Sequence, residues 1–193
     1  MRTQAGASGQ ERYCLFQTAI GACGVAWSER GLTRLQLPEA DRDATERRLR
    51  RSSEHSGSAV PPRIEQAIAK IQRHFTGEKV DYGSVALDLT GVSPFHRKVY
   101  DAARALGWGQ TASYGELARR VGAPGAARAV GQAMGRNPVP IIIPCHRVLA
   151  SGRKPGGFSA FGGVSTKERL LALEGVSLGG DQPCLPGLQA ARR

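Results

Sequence analysis

The stretch 141–148, IIIPCHRV, places a cysteine directly after a short and very apolar run. Three consecutive β-branched residues favour a buried strand, and Pro144 ends it because proline has no N–H to donate to a sheet. Cys145 is therefore expected at the mouth of a rigid element, beside His146 and Arg147. Cationic neighbours favour the thiolate, which is the nucleophilic form of cysteine. The alternative is a cysteine of the apolar core, which the adjacent His-Arg pair disfavours.

The net charge narrows the class of partner. The 193 residues, enough for one or two small domains, include 27 Lys+Arg against 16 Asp+Glu, a formal net charge of +11. Such a balance favours a polyanion, most often nucleic acid, and the excess of arginine suits phosphate recognition. The alternative is a basic protein from an arginine-rich proteome.

The cysteines and histidines do not have the spacing of a metal site. Cys14, Cys23, Cys145 and Cys184 form no CxxC pair and no Cys/His zinc pattern. We therefore predict neither a metal nor a cofactor, and leave the roles of the other three cysteines open. No apolar run reaches the length of a membrane span, and a working thiol needs a reducing compartment, so a cytoplasmic protein without membrane contact is expected.

The N-terminal half has mixed strand and helix patterns after a loose polar tail at residues 1–10. Three β-prone segments predict a small antiparallel sheet, and a later apolar periodicity predicts a helix that ends at Gly77. The predicted elements are strands at Tyr13–Ile20, Ala22–Trp27 and Leu32–Leu37, a weak helix at Pro38–Arg51, a flexible loop at Ser52–Pro62, a helix over Ile64–Phe75 and a strand at Val80–Leu89.

The pattern becomes helical after a boundary near residues 88–93. Ser93 and Pro94 predict a helix start, and Ser113 with Glu116 forms a capping-box sequence that opens the next helix. A Gly-rich turn then leads to a short helix at about 126–134, which gives the outline of a helix-turn-helix.

The second helix of this outline has unusually small side chains. Ala126, Ala127 and Gly131 leave its surface short, and Arg128 is the single long cation on it. Such a face can approach a nucleic-acid groove closely. The alternative is tight helix packing, which Arg128 disfavours.

The order SYGELA, AARAVGQAM, NP and IPCHRV, over roughly residues 93–175, resembles the O6-alkylguanine-DNA alkyltransferases. The resemblance implies an α+β fold with a small N-terminal ribonuclease H-like α+β domain and a C-terminal helical, winged helix-turn-helix-like domain. The expected ranges are 1–90 for the first domain, 91–176 for the DNA-binding and alkyl-acceptor domain, and 177–193 for a disordered tail.

The resemblance also implies the activity. Cys145 would take an alkyl group from O6-alkylguanine, and from O4-alkylthymine, in double-stranded DNA. The protein would act once, as a monomer without a cofactor. A stacked and paired base cannot be attacked at O6, so it must first be extruded, at a cost of about a few kcal/mol.

Catalytic roles follow from the same resemblance. His146 would activate Cys145 through a water molecule, Glu174 would hold His146, Tyr114 would polarise the leaving guanine, and Asn137 would hold the turn before the cysteine. From the residues alone, a solvated charge at a helix end is the favoured interpretation of Glu174, and only the resemblance gives it a role; Asn137 alone indicates an ordinary Asn-Pro turn.

The resemblance assigns DNA contacts and a pocket as well. The DNA-binding residues would be Tyr114, Arg128, Ala126, Ala127, Gly131 and Ser151, with Arg128 entering the base stack and Tyr114 crowding the 3′ phosphate. The pocket would be formed by Val148, Phe158, Ser159 and Phe161. The segment 156–163 departs from the family pattern, because it has Phe in place of Tyr and is longer by two residues. Which phenylalanine walls the pocket, and which alkyl groups are accepted, therefore stay open.

Two other functions fit parts of the sequence. Alkyltransferase-like proteins bind lesions without reacting, but they replace the acceptor cysteine, which is present here as Cys145. A cysteine hydrolase could use Cys145 and His146, yet it would have no use for a helix-turn-helix or for the net charge of +11.

Overall fold

The computed structural model describes residues 11–50, the backbone of residues 54–55, and residues 59–178. The predicted tail at 1–10, residues 179–193 with Cys184, and most of the predicted loop at 52–62 lie outside the described residues. Within the described ranges, the helices are all too short or too polar to cross a membrane.

A four-stranded sheet forms the base of the N-terminal half, with the strand order β3-β2-β1-β4. The strands are β1 (Arg12–Thr18), β2 (Gly21–Ser28), β3 (Gly31–Gln36) and β4 (Glu54–His55). The first three are antiparallel neighbours, so the predicted small sheet is confirmed. β4 runs parallel to β1 and lies inside the segment that was predicted to be a loop.

Two helices accompany this sheet, α1 (Arg42–Arg50) and α2 (Pro62–Phe75). Ile64, Ala67, Ile71 and Phe75 of α2 are buried, as their helical spacing predicts. His74, in the last turn of α2, is fully buried as well.

The strand predicted at Val80–Leu89 is wrong. Leu87 makes only an isolated bridge with Leu32. Before it, the Asp81 carboxylate accepts a hydrogen bond from the Gly83 N–H at 2.9 Å, and a turn closes from Tyr82 to Val85. Asp side chains that bond the backbone two residues on favour turns over strands, which explains the difference.

The C-terminal half is helical around a two-stranded parallel ladder. Its elements are α3 (Pro94–Arg104), β5 (Ala112–Ser113), α4 (Tyr114–Arg120), α5 (Ala127–Gly135), a 3₁₀ turn (Cys145–Arg147), β6 (Val148–Leu149), a short turn (Ser151–Arg153) and α6 (Gly163–Leu173). The predicted caps are confirmed: Ser93 accepts from the His96 N–H at 3.3 Å, and Ser113 and Glu116 form the full capping box.

The strand predicted for residues 141–143 is also wrong, although all three isoleucines are buried. The segment folds as tight turns, with Ile142 N–H donating to Pro140 and Ile143 N–H donating to Val139, both at 2.9 Å. Ile141 has φ +72°, a strained value for a β-branched residue. The prolines around the run remove ladder donors, so its backbone bonds are made locally.

One hydrophobic core joins both halves of the chain. Residues such as Val25, Leu35 and Ile71 from the N-terminal half belong to the same buried cluster as Val99 and Ile143 from the C-terminal half. The hydrophobic packing is therefore continuous across the two halves. The domain boundary near residue 90 stays a prediction from the sequence pattern.

Candidate active site around Cys145

Cys145 begins the 3₁₀ turn and lies at the base of a cleft of about 240 Å³. The residue is 5% exposed, so the thiol faces this cleft from an otherwise packed position. The cleft is lined by Arg34, Leu35, Gln36, Leu37, Arg48, Gly135, Arg136, Asn137, Pro138, Pro140, Cys145, Phe158, Ser159 and Ala160. Both halves of the chain thus contribute to the walls.

Asn137 fixes the turn that carries the cysteine. Its Nδ2 donates to the Ile143 carbonyl at 2.7 Å, and its Oδ1 accepts from the Val139 N–H at 3.0 Å. The Asn137 amide also lowers the pKa of the Cys145 thiol. The amide therefore replaces the ladder bonds that the surrounding prolines cannot make.

A buried polar cluster lies behind the cysteine. Nε2 of His146 is 2.8 Å from Oε1 of Glu174, and both side chains are inaccessible to solvent. Arg147 donates to both carboxylate oxygens, at 2.8 and 2.7 Å. The Gly109 N–H adds a bond of 3.2 Å to Oε2. These contacts lower the pKa of Glu174 to about 2 against the effect of burial, so the carboxylate is ionised.

This arrangement assigns the proton positions on His146. Because Nε2 donates to the ionised Glu174, Nδ1 of the neutral ring is left as an acceptor, and it has no hydrogen-bond partner among the described residues. Burial lowers the pKa of His146 while Glu174 opposes this effect. The ring is thus a neutral base held in a single tautomer.

The expectation that His146 and Arg147 promote the thiolate is not met. Burial raises the pKa of Cys145, His146 is neutral, and Arg147 is directed to Glu174 and to the Leu106 carbonyl. Arg147 belongs to a buried ion pair, which the linear sequence could not reveal. The resting pair is therefore a thiol and a neutral imidazole.

Lys167 is a residue of the site that the sequence reasoning missed. Its ammonium is buried, donates to the Val148 carbonyl at 2.5 Å and lies 5.8 Å from the centre of the Tyr114 ring. It lowers the pKa of Cys145, while burial lowers its own pKa to about 8. The available signal was a lysine on the apolar stripe of α6, three and four residues before Leu170 and Leu171.

His74 is the second missed residue. Its Nε2 lies 3.7 Å from Oε1 of Glu174, and its ring packs edge-on against Trp108. Neither ring nitrogen has a hydrogen-bond partner among the described residues, and burial lowers the pKa to about 3. The sequence placed this histidine next to the buried face of α2, but only the fold brings it to Glu174.

The ligand atoms of His74, His146 and Glu174 lie within 4.8 Å of one another. Such a set could hold a metal ion in principle. Here, however, the guanidinium of Arg147 bonds both carboxylate oxygens, so a cation would have to displace an existing buried ion pair. The donor set is better matched to a proton-transfer cluster than to a metal.

Tyr114 stands at the start of α4, where the capping box of Ser113 fixes the helix. The tyrosine is half-buried and burial raises its pKa. Gly156 has φ +68°, and a Cβ there would lie only 3.1 Å from the Tyr114 hydroxyl, so both the backbone conformation and the close approach favour glycine. Gly131 of α5 faces the other edge of the same ring.

The predicted DNA-contacting residues lie on α4, at the start and along α5, and in the turn after β6. Arg128 is exposed, and its side chain makes no hydrogen bond or salt bridge with a described residue. Ala126 and Ala127 at the start of α5 are half-buried, and Ser151 is exposed at the turn after β6.

The predicted pocket residues separate into three places. Phe158 and Ser159 line the Cys145 cleft. Phe161 is 55% exposed and lines a different cavity of about 420 Å³. Val148 is fully buried, pairs with Ala112 in the parallel ladder, and is not among the residues that line the cleft. Of the two phenylalanines, it is therefore Phe158 that walls the cleft.

Comparisons with known proteins give a consistent family. The family "6-O-methylguanine DNA methyltransferase, ribonuclease-like domain" matches residues 12–89, and the corresponding "DNA binding domain" family matches residues 94–176. These matches support the two-part α+β fold implied by the resemblance.

Several relatives are named methylated-DNA–protein-cysteine methyltransferase. The Salmonella typhimurium protein is 38% identical over 83% of this chain and 94% of its own length. The Methanothermobacter thermautotrophicus protein is 36% identical over 81% of both chains. The Mycolicibacterium paratuberculosis protein is 46% identical, but there the match spans only 56% of this chain and 63% of the relative.

Solved structures agree with the sequence relatives. A Mycobacterium tuberculosis OGT in complex with DNA is 36% identical, with a TM-score of 0.68 over 84% of this chain and 92% of that chain. The O6-methylguanine-DNA methyltransferase of the archaeon Pyrococcus kodakaraensis has a TM-score of 0.64 at 28% identity, over 86% of this chain and 100% of that chain. With both halves matched by its domains, the chain belongs to the 6-O-methylguanine DNA methyltransferase family.

Proposed function

We propose that this protein repairs DNA by moving an alkyl group from O6 of guanine to the sulfur of its own Cys145. The observation that carries the proposal is the cleft-facing thiol backed by a neutral His146, which Glu174 holds in one tautomer. The names of the relatives and the DNA complex of a similar structure support the same reaction.

The first step is a proton transfer. The thiol proton passes through a water molecule to Nδ1 of His146, and the ionised Glu174 stabilises the imidazolium that forms. Lys167 and Asn137 stabilise the thiolate at the same moment. The base is therefore oriented and its partner charge is already in place before substrate arrives.

The second step is a displacement at carbon. The thiolate attacks the alkyl carbon, the C–O6 bond breaks, and its electron pair leaves with guanine. The Tyr114 hydroxyl donates a proton to guanine and regains one from water, while the imidazolium of His146 releases the former thiol proton to water. The reaction is neither an oxidation nor a reduction, so these groups suffice without a cofactor. The product is a thioether on Cys145, and water does not hydrolyse it to release the cysteine thiolate. Each protein molecule therefore acts once.

DNA binding is assigned to α4 and α5. The exposed Arg128 enters the space left by the extruded base, while the small residues of α5 allow close approach to the groove. O4-alkylthymine is a second substrate because it presents the same alkyl ether on a smaller base. We further propose that the protein works as a cytoplasmic monomer, in a compartment that keeps Cys145 reduced.

The test is a mass measurement. Incubation with a duplex containing O6-methylguanine is expected to add one methyl group to the peptide that contains Cys145. Cys145→Ala is expected to abolish the addition and to retain DNA binding. Tight binding without added mass would instead indicate a lesion-binding protein, and repeated turnover of an ester would indicate a hydrolase.

A further inference from the structure

The cleft in front of Cys145 has a wall built by the N-terminal half of the chain. Leu35 N–H of β3 donates to the Pro138 carbonyl at 2.9 Å, which joins this strand to the turn before the cysteine. As a result, Arg34 of β3 and Arg136 after α5 line the same cleft as Cys145. Neither Tyr114 nor Arg128 lines it, whereas residues of β3 do, so the cleft extends from the thiol toward β3.

This wall is cationic. Among the described residues that line the cleft there is no Asp or Glu, while Arg34, Arg48 and Arg136 all contribute to it. Arg48 is already paired with Glu39 at 3.3 Å. The side chains of Arg34 and Arg136 make no hydrogen bond or salt bridge with any described residue. The half-buried Arg34 and the exposed Arg136 therefore line the same cleft as the acceptor sulfur, with guanidinium donors that no described residue uses.

Methyl transfer gives these arginines no partner, because the methyl group is neutral and the charge that develops on the leaving guanine is neutralised by a proton in the proposed step. Unpaired guanidinium groups in a cleft are matched to carboxylate or phosphate oxygens, which they can bind in a bidentate manner. A substituent on a carbon bound to Cys145 would share this cleft with the two arginines, because all three residues line it.

We propose that Arg34 and Arg136 form an oxyanion subsite beside Cys145, filled by the carboxylate of an O6-carboxyalkyl group or by a phosphodiester of the bound DNA. The proposal rests on the proposed function. With O6-carboxymethylguanine, the sulfur bonds to the CH₂ carbon and the CH₂–O6 bond breaks. Guanine takes the electron pair and a proton, and the carboxylate stays on the new thioether, paired with the arginines.

The experiment compares three lesions in one duplex sequence: O6-methyl-, O6-carboxymethyl- and the neutral isostere O6-carbamoylmethylguanine. Single-turnover transfer rates are measured for the wild type, Arg34→Gln and Arg136→Gln. Arg63→Gln is the matched control, because it removes the same charge from a residue that lines a different cavity. Arg34→Lys tests whether charge alone suffices, and thermal unfolding of each variant checks the fold.

For a carboxylate subsite, we expect the transfer rate of the O6-carboxymethyl lesion relative to the O6-carbamoylmethyl lesion to fall about tenfold in Arg34→Gln and in Arg136→Gln. This is the effect expected when a charge-assisted hydrogen bond is removed. The same ratio should be unchanged in Arg63→Gln. A phosphodiester subsite predicts that all three lesions slow equally. The slope of log affinity against log salt then becomes shallower by about 0.9 for each phosphate that the variant no longer neutralises.

Rates and salt slopes indistinguishable from those of Arg63→Gln would overturn the subsite. That failure is separate from failure of the proposed function. If wild-type Cys145 gains no mass with any of the three lesions, the alkyl transfer itself is wrong, and the variants need not be compared.

Discussion

Four hydrogen bonds from described residues converge on the carboxylate of Glu174: two from Arg147, one from His146 and one from the Gly109 N–H. The carboxylate therefore has two tasks. It holds His146, the proposed base for Cys145, in one tautomer, and it neutralises Arg147, a residue that is only 5% exposed. Removing its charge affects stability and reactivity together.

We expect Glu174→Gln to lower the free energy of unfolding by about 3–5 kcal/mol, because Arg147 would be left as an unpaired buried charge. Alkyl transfer should also slow, since the imidazolium of His146 loses its counterion. Urea unfolding and single-turnover rates measure the two effects. Glu168→Gln, within α6 and outside the cluster, is the control, and equal behaviour of the two variants would contradict the assignment.

His74 makes the folded state sensitive to acid. Its pKa is about 3 in the folded protein against an ordinary value of 6.5, so between these values the unfolded chain binds a proton that the folded chain does not. Stability therefore falls as pH drops through this window, by up to about 1.4 kcal/mol per pH unit for this one group. The depressed pKa of Glu174 adds a further loss as pH falls from 4.5 toward 2.

His74→Phe should remove the His74 part of this acid sensitivity while keeping the edge-on packing against Trp108. The difference in unfolding free energy between pH 7 and pH 5 is expected to shrink. Stability at pH 7 should be unchanged or higher, because two unpaired buried nitrogens disappear. His96→Phe on α3 is the control, and an unchanged pH response in His74→Phe would refute the explanation.

The helix α5 combines a buried face with an exposed cation. Its buried residues are Val130, Ala133 and Met134, which attach it to the core, while Arg128 projects from the outer side of the same short helix. The capping box of α4 and the core residues of α5 hold this pair of helices rigidly. A rigid support is what a side chain needs if it is to enter a base stack.

Arg128→Ala is expected to slow repair of O6-alkylguanine in duplex DNA much more than reaction with free O6-benzylguanine, which needs no base extrusion. The fold should be unaffected because Arg128 is exposed and makes no side-chain bond with a described residue. Transfer rates on the two substrates give the comparison. Arg120→Ala, at the end of α4, controls for loss of charge, and equal losses on both substrates would argue against the extrusion role.

The two halves of the molecule are coupled by the shared core and by the bond from Leu35 to Pro138. The chain has two tryptophans, Trp27 in the sheet of the N-terminal half and Trp108 near the buried cluster of the C-terminal half. Trp27 therefore reports on the N-terminal sheet, while Trp108 reports on the C-terminal half and on its contact with His74 of α2.

We expect the two halves to unfold together. In Trp27→Phe, fluorescence follows Trp108, and in Trp108→Phe it follows Trp27. In each variant, the fluorescence transition in urea should coincide with the loss of helical circular dichroism in the same sample. Two separated transitions in either variant would show that the halves are independent domains.

Many of the helices, caps and strands can be predicted from the amino-acid sequence. The caps at Ser93 and Ser113, the apolar stripe of α2 and the first three strands depend on contacts between residues close in sequence, so local patterns predict them. The motif order around Cys145 identified the family and pointed to Glu174 at the far end of α6. Local patterns gave the wrong answer at 80–89 and 141–143, where Asp side chains and prolines redirect the backbone bonds.

The electrostatics of the site depend on distant parts of the chain and were not predictable. Arg147 looked like an activator of the thiol, but its charge is committed to Glu174, 27 residues away. Lys167, His74 and Arg34 reach the site from α6, α2 and β3. A side chain's charge acts over a few ångströms, and the folding of the whole chain sets which groups lie within that distance.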